Sequence, residues 1–226
     1  MPRWELWVRL FAMAMLSTAL CGCETLFSEM AQSISGPSHQ PANVHLEEEK
    51  LAPELKRVAI LPLVARPGDS EAEFGGESLA PVLLAELAKA QRFELVSISA
   101  EQLRRITGRS HWTTDERLPW NFFERLREAS GCDGVLFCRL THYRAYQPLL
   151  IGWHLQLLDA TEPRVLWSAD EVFDASNPAV ARAAQRYAQG DPEAFTVRAD
   201  AAVVLQSPRR FGQYSASALA ATLPMR

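Results

Sequence analysis

The chain has 226 residues, 48% hydrophobic and 22% charged, with a formal net charge of −4. That balance is ordinary for a globular protein, and the length suffices for one well-formed core. No basic stripe stands out, which argues against nucleic acid as a partner.

The N-terminus reads as a leader. Arg3 and Arg9 supply positive charge, and an apolar run follows from Leu10 to Leu20. A membrane-spanning helix needs roughly 20 apolar residues. The run is about half that, which suits the h-region of a signal peptide over residues 1–22. Glu5 is out of character for such an n-region. Next comes Leu20-Cys21-Gly22-Cys23. This resembles the lipobox of bacterial lipoproteins, which has a branched apolar residue at −3, a small residue at −1 and cysteine at +1. Only Cys23 fits, with Gly22 at −1 and Leu20 at −3; for Cys21 the −1 residue would be Leu20. The resemblance implies cleavage between Gly22 and Cys23, acylation of Cys23 and anchorage in a lipid bilayer. Glu24 follows where aspartate would favour the inner membrane, so the resemblance points to the outer membrane, facing the periplasm. The competing reading is an ordinary cleaved secretory peptide with two incidental cysteines.

Residues 23–55 lack an apolar period and contain Ser, Pro, Gln and the run Glu47-Glu48-Glu49, the composition of a flexible tether. Brief alternation at Val44 and Leu46 leaves a folded arm as the alternative. A single domain is expected over residues 56–226. Val58 to Leu63 is a continuous apolar run, as in a strand covered on both faces. A polar loop, RPGDSEAEFGGE, precedes a helix with Ser78 as N-cap, Pro81 in its first turn, and Leu79, Val82, Leu83, Leu87 and Ala90 on one stripe. RFELVSI forms a second strand. Ser99 and Gln102 make a capping-box pattern before a short helix carrying Leu103 and Ile106.

After the polar RSHWTTDER, a helix is expected from Pro119, with Phe122, Phe123, Leu126 and Ala129 inward and Gly131 at C′. CDGVLFCRLTHY is a third strand. LLIGWHLQLLDA alternates, with Ile151, Trp153, Leu155 and Leu157 on one face. VLWSADEVFDA returns with Val165, Trp167, Ala169 and Phe173 matched to it, so the two pair as a hairpin with one wet face. Asn177-Pro178 opens a helix to about Gln189, GDPEAF breaks it, and Asp200 to Leu205 is helical. Ser207-Pro208 caps a last helix that Pro224 ends. The order β-α-β-α-α-β-β-β-α-α-α predicts an α/β (α+β) fold: a mixed sheet of about five strands with helices packed on it.

Cys132 and Cys138 are six residues apart on an extended segment, about 20 Å at roughly 3.3 Å per residue, too far for a disulfide. They read as small buried apolar residues. No motif for catalysis, a cofactor or a metal emerges. FGGES (74–78) precedes a helix but lacks the lysine of a phosphate-binding loop. His142 and His154 read as strand histidines. Two stretches could instead meet a partner, because aromatics and arginine are enriched at interface hot spots. THYRAYQPLLIGW offers Tyr143, Arg144, Tyr146 and Trp153, and RSHWTTDERLPW offers Trp112 and Trp120.

RVAILPL, LLAELAKAQRFELVS, ASGCDGVLFCRLTHY and LQLLDATEPRVLWS together resemble the superfamily of envelope proteins containing the TolB N-terminal domain, the curli secretion lipoprotein CsgG and the LpoB-type activators of peptidoglycan synthases. The resemblance covers about residues 57–173. Cys132-Asp133-Gly134 replaces the superfamily's small residue-Asp-Ala, and Glu162-Pro163 its Thr-Gly. It implies a non-catalytic module that binds an envelope protein or forms homo-oligomers. The alternatives are a secretion-channel subunit, for which only the strand pair at 150–173 is long enough, and an envelope hydrolase, which no motif supports.

Overall fold

The computed structural model describes residues 39–66, 68–190 and 200–226. Gly22, Cys23, the leader and most of GDPEAF lie outside the described residues. The described elements are β1 (Val44–Leu46), β2 (Arg57–Ile60), α1 (Ser70–Lys89), β3 (Glu94–Ser97), α2 (Ala100–Thr107), α3 (Phe122–Ser130), β4 (Gly134–Arg144), β5 (Leu150–Asp159), β6 (Val165–Asp174), α4 (Pro178–Gly190), α5 (Asp200–Val203) and α6 (Pro208–Ala220).

These strands form one mixed sheet in the order β1-β6-β5-β4-β2-β3. β2 is parallel to both β3 and β4, while β4, β5, β6 and β1 run antiparallel in succession. The fold is thus the expected α+β arrangement with one further strand. The expected tether is folded from His39 onward. Val44 and Leu46 pair with Ala169 and Trp167 of β6. Leu51 and Leu55 are buried in the main core, and Leu51 N–H donates to the Met225 carbonyl at 2.8 Å. Residues 39–55 therefore belong to the same compact unit as the rest of the described chain.

The apolar run of β2 splits by period two between two cores, which is why it is apolar throughout. Val58 and Ile60 join the larger cluster, beneath α1, α4 and α6. Ala59 and Leu61 join a smaller one with Leu103 of α2 and Phe122 and Leu126 of α3. Val135 and Phe137 of β4 point into the smaller core, whereas Leu136 and Cys138 point into the larger. Both cysteines are free and buried. Burial holds the Cys138 thiol well above its ordinary range.

The β5–β6 hairpin forms with the expected pairing of Leu155 with Ala169 and Leu157 with Trp167. A register shift after Leu157 turns Val165 onto the smaller core instead of the larger. Ile151, Trp153, Leu155 and Leu157 are fully buried under helices. No described helix is long and apolar enough to cross a membrane.

Helix α1 starts eight residues before the expected Ser78. Asp69 is its N-cap, accepting from Ala72 N–H at 3.0 Å, and Pro81 lies inside it. The segment EAEFGGE that reads as polar loop is its first turns. The Ser99–Gln102 capping box is present. Helix α3 begins at Phe122, three residues after Pro119, and ends on Gly131 at φ 64°, the left-handed conformation that favours glycine.

Candidate functional site

The residues around the β4–β5 connection gather at one end of the sheet. Beyond Arg139 the strand carries its side chains past the larger core, and the first turns of α1 close over it. Tyr143 lies flat against α1 at Gly75. A Cβ there would come within 2.6 Å of the ring, so only glycine admits this approach. This explains Gly75 inside a helix, where a glycine costs up to about 1 kcal/mol relative to alanine. Glu71 on the same helix accepts from Ala145 N–H at 3.1 Å. Arg66 donates to the Thr141 carbonyl from just before the helix. Burial pushes the Tyr143 hydroxyl above its ordinary pKa, a hydrogen bond with Ser78 opposes this, and the Glu71 charge adds to it.

Two aromatic rings project from this frame into solvent. Phe74, next to Gly75, is 67% exposed, and Tyr146, next to Ala145, is 65% exposed. Arg144 follows Tyr143 in β4 and so faces the other side of the sheet, in line with Leu150 and Asp174. Its Nε donates to the Pro148 carbonyl at 2.6 Å, and Nη2 lies 3.8 Å from Asp174. Tyr143 and the exposed Phe74 and Tyr146 are thus carried by rigid elements at the α1 side of this end of the sheet, with Arg144 on the far face.

The other aromatic candidates divide differently. Trp153 is fully buried, and its indole N–H donates to Ser215 Oγ of α6 at 2.8 Å. It belongs to the core because β5 is an interior strand covered by α6, so it is not surface. Trp112 is also buried. It donates to Thr107 Oγ1 at 2.8 Å, stacks edge-on with Phe122 and lies under the Arg109 guanidinium. The exposed tryptophan of that loop is Trp120, at 91%. Sequence reasoning also passed over Phe74, since FGGES read as a loop. The available signal was Asp69-Ser70, a good N-cap before Glu71 and Glu73.

The remaining polar motifs are structural. Asp133 accepts from the backbone N–H groups of Lys56 and Arg57, both at 2.9 Å, locking the start of β2 to the start of β4. Asp159 accepts from Thr161 and Glu162 N–H at 2.7 and 3.1 Å, shaping the β5–β6 turn. His154 pairs with Asp170 at 3.0 Å, while His142 is exposed. Among the described residues no three His, Cys, Asp or Glu side chains gather where a metal could sit.

No family model matches the sequence, and no curated protein aligns with it. Solved structures do resemble it in part. The PelC dodecamer from Paraburkholderia phytofirmans shares 16% identity over 73% of this chain and 95% of that one, with a TM-score of 0.39. Lipoprotein GNA1162 from Neisseria meningitidis shares 18% over 54% and 83%, with a TM-score of 0.38. The LpoB C-terminal domain from Escherichia coli shares 16% over 52% and 82%, with a TM-score of 0.33. The functional reading rests on the chain's own residues.

Proposed function

We propose that this protein is a lipid-anchored interaction module of the bacterial cell envelope, without catalysis of its own. Acylated Cys23 holds it to a membrane, the outer membrane by the Glu24 criterion, and the domain from His39 is presented to the periplasm. The surface of Phe74, Tyr143 and Tyr146 receives an envelope protein or a second copy of the chain. The observation that carries this reading is the pair of aromatic rings, each about two-thirds exposed, held on a frame of packed strand and helix. Large aromatic side chains left in water on a rigid frame suit a hot spot, because their burial on binding is favourable and little ordering is needed.

The test is photo-crosslinking in cells, with a reactive residue in place of Tyr146 and, as control, in place of Glu124 on the exposed side of α3. A discrete adduct from position 146 that is absent from 124 supports the reading, and its mass distinguishes a partner from a second copy. Equal labelling at both positions counts against it.

A further inference from the structure

Helix α1 is apolar on two sides. Its inner face carries Leu79, Leu83 and Leu87 into the larger core. A surface helix normally turns charged residues outward. Helix α2 does so with Arg104 and Arg105, and α3 with Glu124 and Glu128, all exposed. On α1 the outward positions are Phe74, Glu77, Pro81, Leu84 and Ala88, at intervals of three and four. All are exposed except Leu84, which is half-buried, and only Glu77 is charged.

Intervals of three and four average 3.5 residues, the repeat with which one helix faces another along its length. The seam is also graded. Its first half holds Phe74, 67% exposed, and the exposed carboxylates of Glu73 and Glu77. From Pro81 to Ala88 the exposed positions are small or uncharged: Pro81, Ala85 and Ala88. A parallel helix of the same sequence would set Glu77 against Glu77 and ring against ring. An antiparallel one centred on Pro81 sets Phe74 against Ala88, each seven residues from the centre, and Glu77 against Ala85, each four away. Bulk then meets a gap, and the carboxylates of the two copies lie at opposite ends. The helix dipoles oppose as well. Each match occurs twice, once on either side of the centre, as a twofold interface requires.

We propose that the outer face of α1 is a homodimer contact, with α1 of a second copy packed antiparallel across a twofold axis at Pro81. This contact rests on the reading of Phe74 as a contact residue and names what covers it. About four helical turns per copy make a small contact beside the roughly 1,200–2,000 Å² of a standard interface. The association is therefore weak, and covalent capture is the way to see it.

The experiment is cysteine crosslinking of the full chain in cells. Under mild oxidation Pro81→Cys should give a dimer band. The parent chain, whose Cys132 and Cys138 are buried, should not. Phe74→Cys should not link to itself, because the two positions lie about 21 Å apart across the axis at 1.5 Å per residue. Co-expressed with a differently tagged Ala88→Cys chain, it should give a mixed dimer. Ala85→Glu should lower the Pro81→Cys band at least fivefold, while thermal unfolding stays at the parent's temperature, so that a lost band is not a lost fold. Absence of the Pro81→Cys dimer, self-linking of Phe74→Cys at the level of the mixed pair, or a band that Ala85→Glu leaves unchanged would each overturn the contact. An adduct from position 146 with a different protein, and no Pro81→Cys dimer, would remove the homodimer and leave the partner surface. A Pro81→Cys dimer with no adduct from position 146 would do the reverse.

Discussion

Asp133 shows how much a single carboxylate can decide. It holds two backbone amides of β2 while its own N–H donates to the Arg57 carbonyl and its carbonyl accepts from Ala160. Three chain segments, at Lys56–Arg57, Asp133 and Ala160, meet at one residue. Asp133→Ala should lower stability by about 2–3 kcal/mol, since two charge-assisted bonds disappear and two amides lose their acceptor. Urea denaturation should show a lower midpoint with an unchanged slope. Tyr214 makes a different contribution. Burial among Phe173, Tyr187 and Phe211 pushes its hydroxyl up to about 12, with the Arg186 charge opposing and the Glu171 charge adding. The folded state holds this proton more tightly than the unfolded chain does. The corresponding stability is fully present below pH 10 and is lost as pH rises through about 12. Denaturation midpoints should fall across that window, and Tyr214→Phe should flatten the fall; Tyr143 and Tyr187, also raised, contribute the remainder.

At the scale of elements, the arm from His39 to Leu46 is the least expected part of the fold. β1 has three residues, too few for a period-two pattern to be read from composition. It forms because β6 offers an edge and because Glu171 needs partners. Glu171 shares the face of Trp167, Ala169 and Phe173 and accepts from Ala42 and Asn43 N–H at 2.9 and 3.2 Å. His39 lies 3.4 Å from it and packs edge-on against Phe173. Removing residues 39–46 should strip that carboxylate of its amides and open the β6 edge to other chains. Sedimentation should then show concentration-dependent association, and thermal unfolding should occur at a lower temperature. The longer elements were legible, because β5, β6 and α6 repeat apolar residues over a clear period, and β2 was legible as an unbroken apolar run. Helix α1 was legible only from Ser78 on, since Gly75 and Gly76 have poor helix propensity. The reason for Gly75 is the Tyr143 ring, 68 positions further along the chain.

For the whole molecule, α1 spans between two surfaces of different chemistry. One end carries the exposed Phe74 ring, the other a cleft lined by Glu86 and Tyr187. Phe74→Ala should leave the unfolding free energy within about 0.5 kcal/mol of the parent, as exposed sites do, while abolishing the crosslink from the reactive residue at position 146. That pair of readouts separates a binding surface from a folding determinant. Cys23→Ala should move the protein from the membrane to the soluble fraction on cell fractionation, because the acyl chains that would hold it, at about 0.8 kcal/mol per buried methylene, could no longer be attached. Intact mass of the processed protein checks the same point: an unmodified Cys23 would remove the anchor from the proposal.

What the chain alone determined was the succession of strands and helices from β2 onward, the α+β class and the burial of both interior cysteines. These depend on local pattern: periodicity, capping residues and the spacing of a few side chains. Folding decided which aromatics are surface. Trp112 and Trp153 look as available in sequence as Tyr146, yet α6 supplies Ser215 to one and the end of α2 supplies Thr107 to the other, closing both into cores. The same assembly left Phe74, Tyr146 and Trp120 in water. It also brought Glu86, Arg92 and Tyr187 around one cleft from places up to 101 residues apart. An aromatic side chain carries no mark of its neighbours, so its exposure is settled only when distant elements pack.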